Sequence, residues 1–320
     1  MEQHLYFAAC DPTGGIYHYT LADGALRFCE KTALDRPMYL AIEGDSLYAL
    51  MRGPRGGSDM HSALISYPID AQGALGAPTE PVLTGGECAC HLHVKNGTVY
   101  AVNYVTGNVI RMPDTLVAHH GHGPHPTRQD GPHTHFVNRT PDGKYLFVVD
   151  LGNDTIYTYD FDLNPVAATQ VPAGAGCRHL AYSADGTRVF CANELGGSVS
   201  VFAYADGRLT LRGTYPALPA SFSGTNTTAA IRVHGEYLYV SNRGHDSIVR
   251  YRIDDDRLTD PVWTSCGGQS PRDFDIFDDM LFCTNETSSN VTVFRLDAQG
   301  CPVQLPIELP MPHPLCVIAR

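Results

Sequence analysis

Short runs of alternating apolar and polar residues, rich in Val, Ile, Tyr and Phe, recur along the whole chain. Many are joined at Asp-Gly or Asn-Gly, the chemistry of tight antiparallel hairpins. No amphipathic helical pattern longer than about ten residues competes with them. The pattern therefore predicts an all-β protein.

The runs are themselves periodic. Five segments follow one plan: a polar residue, a strand, a turn, a second strand closing on Asn or Asp, a small loop and a third strand. They read HLHVKNGTVYAVNYVTGNVIRM, HFVNRTPDGKYLFVVDLGNDTIYTYDF, RHLAYSADGTRVFCANELGGSVSVFAY, AIRVHGEYLYVSNRGHDSIVRYRI and RDFDIFDDMLFCTNETSSNVTVFRL. Their second strands close on Asn103, Asp150, Asn193, Asn242 and Asn285, at spacings of 47, 43, 49 and 43 residues. That is the period of a propeller blade. A weaker sixth copy, PMYLAIEGDSLYALMRG, carries Met51-Arg52 in place of the Asn or Asp pair. The C-terminal His313-Pro314-Leu315-Cys316-Val317-Ile318-Ala319 starts a further copy, and the N-terminal LYFAACDPTGGIYHYTL supplies its later strands. The expectation is one seven-bladed β-propeller domain over residues 1–320, closed by a blade built from both termini, which removes open sheet edges. A β-sandwich is the alternative all-β architecture, and it does not account for the period.

Register within the repeat nominates a site. Aligning the copies puts Cys90-His91, His135, Arg178, Ala230, Arg272 and His313 at the starts of the innermost strands. Tyr104, Leu151, Glu194, Arg243 and Glu286 follow the second strands on the same face. His135, Arg178, Glu194 and Arg272 are expected to converge around the axis. Arginines there hold a carboxylate or phosphate, a histidine moves a proton near neutrality, and a glutamate accepts a proton or orients an arginine. The bland reading is a set of structural ion pairs and hydrogen-bonded wall residues.

Composition narrows the function. The 320 residues are 43% hydrophobic and 18% charged, which excludes a disordered chain. With 22 Lys plus Arg against 34 Asp plus Glu, the formal net charge is −12, and no basic stripe suggests nucleic-acid binding. No apolar run is long enough for a transmembrane helix. Met1-Glu2-Gln3-His4 lacks the start of a signal peptide, so a cytoplasmic location is expected. Several of the ten cysteines lie in apolar runs, as Cys191 and Cys283 do, and read as reduced, buried thiols. The histidine-rich stretch holding His119, His120, His122, His125, His133 and His135 reads as a connecting loop across one mouth of the ring, not as a metal site. Cys88-Ala89-Cys90-His91 reads as channel wall. No G-x-S-x-G, P-loop or dinucleotide fingerprint occurs, and the loop around Ser221-Phe222-Ser223-Gly224 is no nucleophile elbow.

Several motifs carry a resemblance. Gly123-Pro124, Arg128-Gln129, Pro132-His133-Thr134-His135 and Thr140-Pro141-Asp142-Gly143-Lys144-Tyr145-Leu146 form the most specific part. Asn103-Tyr104 with Gly107, Cys177-Arg178-His179-Leu180, Asn193-Glu194-Leu195, Ser241-Asn242-Arg243-Gly244 and Pro271-Arg272-Asp273-Phe274 extend it over nearly the whole chain. Together they resemble the lactonase family of seven-bladed propellers, which includes propeller-type 6-phosphogluconolactonases and 3-carboxy-cis,cis-muconate lactonizing enzymes. The resemblance implies an enzyme without cofactor or metal, acting on a small anionic lactone or carboxylate at the channel mouth. Its active-site His, two Arg and Glu fall on His135, Arg178, Arg272 and Glu194. Substrate contacts are expected from His91, Asn103, Tyr104, His133, Arg243, Glu286 and His313. This chain departs from the family at Ala230, where an acidic residue is usual, and at Met51-Arg52, where Asn-Glu is common. The expected reaction is hydrolysis of a sugar lactone, foremost 6-phosphogluconolactone, with His135 or Glu194 as base. Cycloisomerisation of a carboxylated muconate and a non-catalytic, protein-binding propeller are the alternatives.

Overall fold

A computed structural model describes residues 2–53 and 61–320. Seven four-stranded antiparallel sheets stand in a ring, with no helix among the described residues; no element is thus a helix long and apolar enough to cross a membrane. The innermost strands are Pro37–Glu43, Ala89–Lys95, Thr134–Arg139, Cys177–Tyr182, Thr227–His234, Pro271–Phe277 and Pro314–Ala319. Each packs beside the next around the axis, and the last returns to the first. We number the blades 1 to 7 in that order.

Blade 7 closes the ring. Its innermost strand, Pro314–Ala319, pairs with the N-terminal strand Gln3–Ala9, and His4 and Arg320 exchange backbone hydrogen bonds of 3.1 and 2.9 Å. The hairpin turns behave as their composition predicts: Asp23-Gly24, Asn96-Gly97 and Asp206-Gly207 all hold both residues at positive φ. The core lies between the sheets. Phe147, Val149 and Ile156 of blade 3, for example, pack on Leu180, Val189, Cys191 and Phe202 of blade 4. Cys191 and Cys283 are buried in such layers. Except for Val105 in a loop, the exposed large apolar side chains of the described residues, Phe28, Leu83 and Val303 among them, are spread over the outermost strands of all seven blades.

One irregularity positions the site. Every innermost strand carries a β-bulge near its start, at Met38, Cys90, His135, Arg178, Ala229–Ala230, Arg272 and Leu315. Directly across, the residue after the second strand is pinned by its backbone N–H to the residue preceding the first strand. Arg52 bonds Arg36, Tyr104 bonds Cys88, Leu151 bonds His133, Glu194 bonds Gly176, Glu286 bonds Ser270 and Cys10 bonds His313, over 2.7–3.0 Å. The extra residue turns its side chain out of the pleat, here toward the axis.

Two sequence alignments shift by one or two positions as a result: the residue equivalent to His135 is Ala229 rather than Ala230, and Leu315 rather than His313. Of the aligned pair Cys90-His91, the equivalent residue is Cys90. A bulge adds one residue within an otherwise period-2 pattern, so repeat alignment alone leaves open which neighbour faces the mouth.

Candidate active site

The bulges and the pinned loops build a cavity of about 320 Å³ at one mouth of the channel. Arg52, Cys90, Tyr104, Arg128, His135, Glu194, Thr227, Arg243 and Arg272 line it. Three of them come from bulges and five from the positions after the second strands or beside them. Arg128 alone arrives on the long histidine-rich loop. Gln129, fully buried, anchors that loop by donating from Nε2 to the Leu151 carbonyl at 2.9 Å and accepting from the His125 N–H at 3.1 Å. The neighbouring Arg128 is thereby held over the cavity.

Glu194 is the electrostatic hub. Its Oε2 lies 2.9 Å from Arg178 Nε and 2.9 Å from Arg243 Nη2, while Oε1 accepts from Arg128 Nη2 at 2.5 Å. Burial by itself would raise the carboxyl pKa, but Arg243, Arg178 and Arg128 overrule it and hold Glu194 well below the usual carboxylate range. Arg272 has its own partner, donating to Glu286 Oε2 at 3.1 Å. Around the cavity, five guanidinium groups (Arg52, Arg128, Arg178, Arg243 and Arg272) face two carboxylates, so the site is strongly cationic within a protein of net charge −12. Burial and then Arg243 draw Arg178 down to about 9, which still leaves it charged at neutral pH.

His135 is 4% exposed, and burial followed by Arg178 pushes its pKa well below the ordinary histidine value. It is a neutral imidazole at pH 7. Its Nδ1 has no partner among the described residues. Tyr104 meets its ring edge-on at a centroid distance of 5.6 Å and accepts a 3.3 Å hydrogen bond from Arg128 at its hydroxyl.

The other residues singled out in the sequence fall in different places. Arg178 is 2% exposed and lies beneath Glu194, outside the cavity lining. His91 sits deeper in the channel, between Tyr39 and Phe136 at centroid distances of 4.2 and 4.4 Å. It faces a larger cavity of about 700 Å³ at the opposite end of the innermost strands. There Arg232 is paired with Asp273 at 2.9 Å and Asp275 at 3.2 Å. Asn103 is fully buried, accepting from Thr84 and donating to Asn108, both over 2.7 Å, and ties strands together. His133 stacks on Tyr104 at 4.5 Å and contacts the Tyr104 carbonyl through Nδ1 at 2.9 Å, so it supports that ring from behind. Glu286 and His313 line a neighbouring cavity. Within the histidine-rich stretch, His119 bridges Asp150 at 2.7 Å and Tyr159 at 3.1 Å in the core, and no metal-binding cluster of His, Cys, Asp or Glu occurs among the described residues.

Three cavity residues, Arg52, Arg128 and Thr227, went unnominated by the sequence. Arg52 stands at the same repeat position as Tyr104, Glu194, Arg243 and Glu286; the sequence marked Met51-Arg52 there only as a departure from the repeat and gave it no site role. Arg128 lies in a loop outside the repeat, and only its place in the family-like motif marked it.

The fold and this cationic mouth define a propeller with an arginine-rich cavity at one mouth of its channel. The chain belongs to the family of seven-bladed β-propeller lactonases, whose model matches residues 4–319. A periplasmic gluconolactonase from Pseudomonas aeruginosa is 27% identical with a TM-score of 0.89, covering 100% of this chain and 99% of its own. A candidate 6-phosphogluconolactonase from Bacteroides fragilis NCTC 9343 is 27% identical with a TM-score of 0.87, covering 100% and 98%. An uncharacterized protein of Staphylococcus aureus (strain bovine RF122) is 40% identical over 207 residues, or 62% of this chain. The match spans 60% of that relative's length.

Proposed function

We propose that the protein hydrolyses a sugar lactone, with 6-phosphogluconolactone as the foremost substrate. The observation that carries this reading is the pairing of a neutral, buried His135 with three guanidiniums, Arg128, Arg243 and Arg272, around one 320 Å³ cavity. Family membership and the gluconolactonase among the similar structures support it.

His135, unprotonated at neutral pH, accepts a proton from the water that attacks the lactone carbonyl. General-base assistance of this kind contributes about 10²–10⁴-fold in rate. Arg243 and Arg272 face the oxyanion as the carbonyl becomes tetrahedral, a role in which preorganised cations act most strongly because they need no reorganisation. Collapse breaks the ring C–O bond, and the leaving alkoxide takes up the proton held by His135. Glu194 is not the base: its oxygens are taken by three arginines, and its proton affinity is suppressed. It aligns the arginines instead.

The test is hydrolysis by purified protein, followed as acid release from 6-phosphogluconolactone and D-glucono-1,5-lactone, with product mass. Hydrolysis adds one water; a cycloisomerase acting on a carboxylated muconate would leave the mass unchanged. Rates equal to buffer background for both lactones would refute the reading.

A further inference from the structure

Arg52 stands where two cavities meet. It lines the 320 Å³ cavity with His135 and also a neighbouring one of about 370 Å³, which carries Asp11, Arg36, Glu286 and His313. Its backbone is fixed by the 3.0 Å bond from its N–H to the Arg36 carbonyl. Its charge is not matched. Arg128, Arg178 and Arg243 share Glu194, Arg272 has Glu286 and Arg36 has Asp35. Arg52 has no carboxylate within ion-pair distance among the described residues. One of its terminal nitrogens donates to Cys88 Sγ at 2.9 Å, and its buried Nε has no partner among those residues.

A guanidinium presents its donors as a planar fork that fits a carboxylate or phosphate through paired hydrogen bonds. Leaving part of that fork buried and unmatched is unfavourable unless an anionic ligand completes it. The second cavity offers both donors, Arg36 and His313, and acceptors, Asp11 and Glu286, the mixture that suits a hydroxylated chain. We propose that Arg52 binds a second, non-reacting anionic group of the substrate, a phosphate or a carboxylate, carried on a polyhydroxyl arm that runs from the His135 cavity into its neighbour. This rests on the lactonase reading and adds to it the residue that selects lactones with a charged tail.

The experiment compares wild type, Arg52→Ala and Arg52→Lys on three lactones: D-glucono-1,5-lactone with no tail charge, 6-phosphogluconolactone with a phosphate and D-glucaro-1,4-lactone with a carboxylate. Arg52→Ala is expected to raise KM for at least one charged lactone by about tenfold or more, a typical size for a lost charged contact. It should change kcat little and the uncharged lactone far less. Arg52→Lys should recover part of the loss, and the charged lactone affected more identifies the group bound. Equal losses on charged and uncharged lactones, or no change on either charged one, would overturn the proposal while leaving the lactonase reading standing. A wild type that hydrolyses none of the three overturns both. A circular-dichroism melt of each variant separates these effects from unfolding.

Discussion

Glu194 covers Arg178: the carboxylate Oε2 stands 2.9 Å from the guanidinium Nε, and both side chains are almost fully buried. Glu194 lines the cavity while Arg178 does not, and Arg243 and Arg128 are drawn to the same carboxylate. Glu194→Gln exchanges one charged oxygen for an amide that points hydrogens at a guanidinium. Breaking a buried pair from one side costs about 3–5 kcal/mol, so the denaturant midpoint should fall clearly. kcat/KM should fall with it, because the arginines lose their common anchor. A variant with wild-type stability and rate would show that the hub carries no load.

His135 is expected to behave as a proton acceptor whose free-enzyme pKa lies well below that of an ordinary histidine, since burial and Arg178 both oppose its charged form. The kcat/KM profile should therefore stay flat from pH 7.5 down through 6. An acid limb centred near 6.5 would contradict the assignment. His135→Gln should lower kcat by about 10²–10⁴-fold with the fold intact.

Stability should depend on pH through the same channel. His91, His135 and His179 are all pushed well below their ordinary value, in each case first by burial. Below about pH 6.5 the unfolded chain binds protons that these three rings refuse in the folded state, so stability falls as pH falls. Each ring contributes up to about 1.4 kcal/mol per pH unit once the solution is below its unfolded pKa. Asp273, whose carboxyl burial raises, works in the opposite sense at lower pH. Thermal melts between pH 7.5 and 5 should show a steady loss, and His179→Gln should make the slope shallower. An unchanged slope in that variant would rule out its ring as a contributor.

Gly176 sets the height of Glu194. It lies at φ +62°, and its carbonyl accepts the Glu194 N–H at 2.7 Å. An added Cβ would stand 2.5 Å from Leu195 Cγ. Gly176→Ala thus combines a left-handed backbone with a steric clash, and a loss of about 2–4 kcal/mol is expected. Because the displaced segment carries Glu194, activity should fall further than Arg178-remote destabilisations of equal size, which a parallel variant such as Leu258→Ala would calibrate.

Alternating strands, Asp-Gly turns and a spacing of 43–49 residues are written into neighbouring positions, so the sequence alone determined seven blades, their antiparallel pairing and closure by the two termini. It also placed His135, Glu194 and Arg272 around one mouth, because equivalent repeat positions must meet at the axis. The tertiary structure decided the rest. A single extra residue in each innermost strand turned Cys90 toward the cavity and His91 away, and put Leu315 where His313 was expected. Contacts between blades drew Arg243 to Glu194, and a loop outside the repeat brought Arg128 to the same carboxylate. Periodicity is a local property of the chain, whereas a bulge's aim and an ion pair's partner depend on what the neighbouring blade presents.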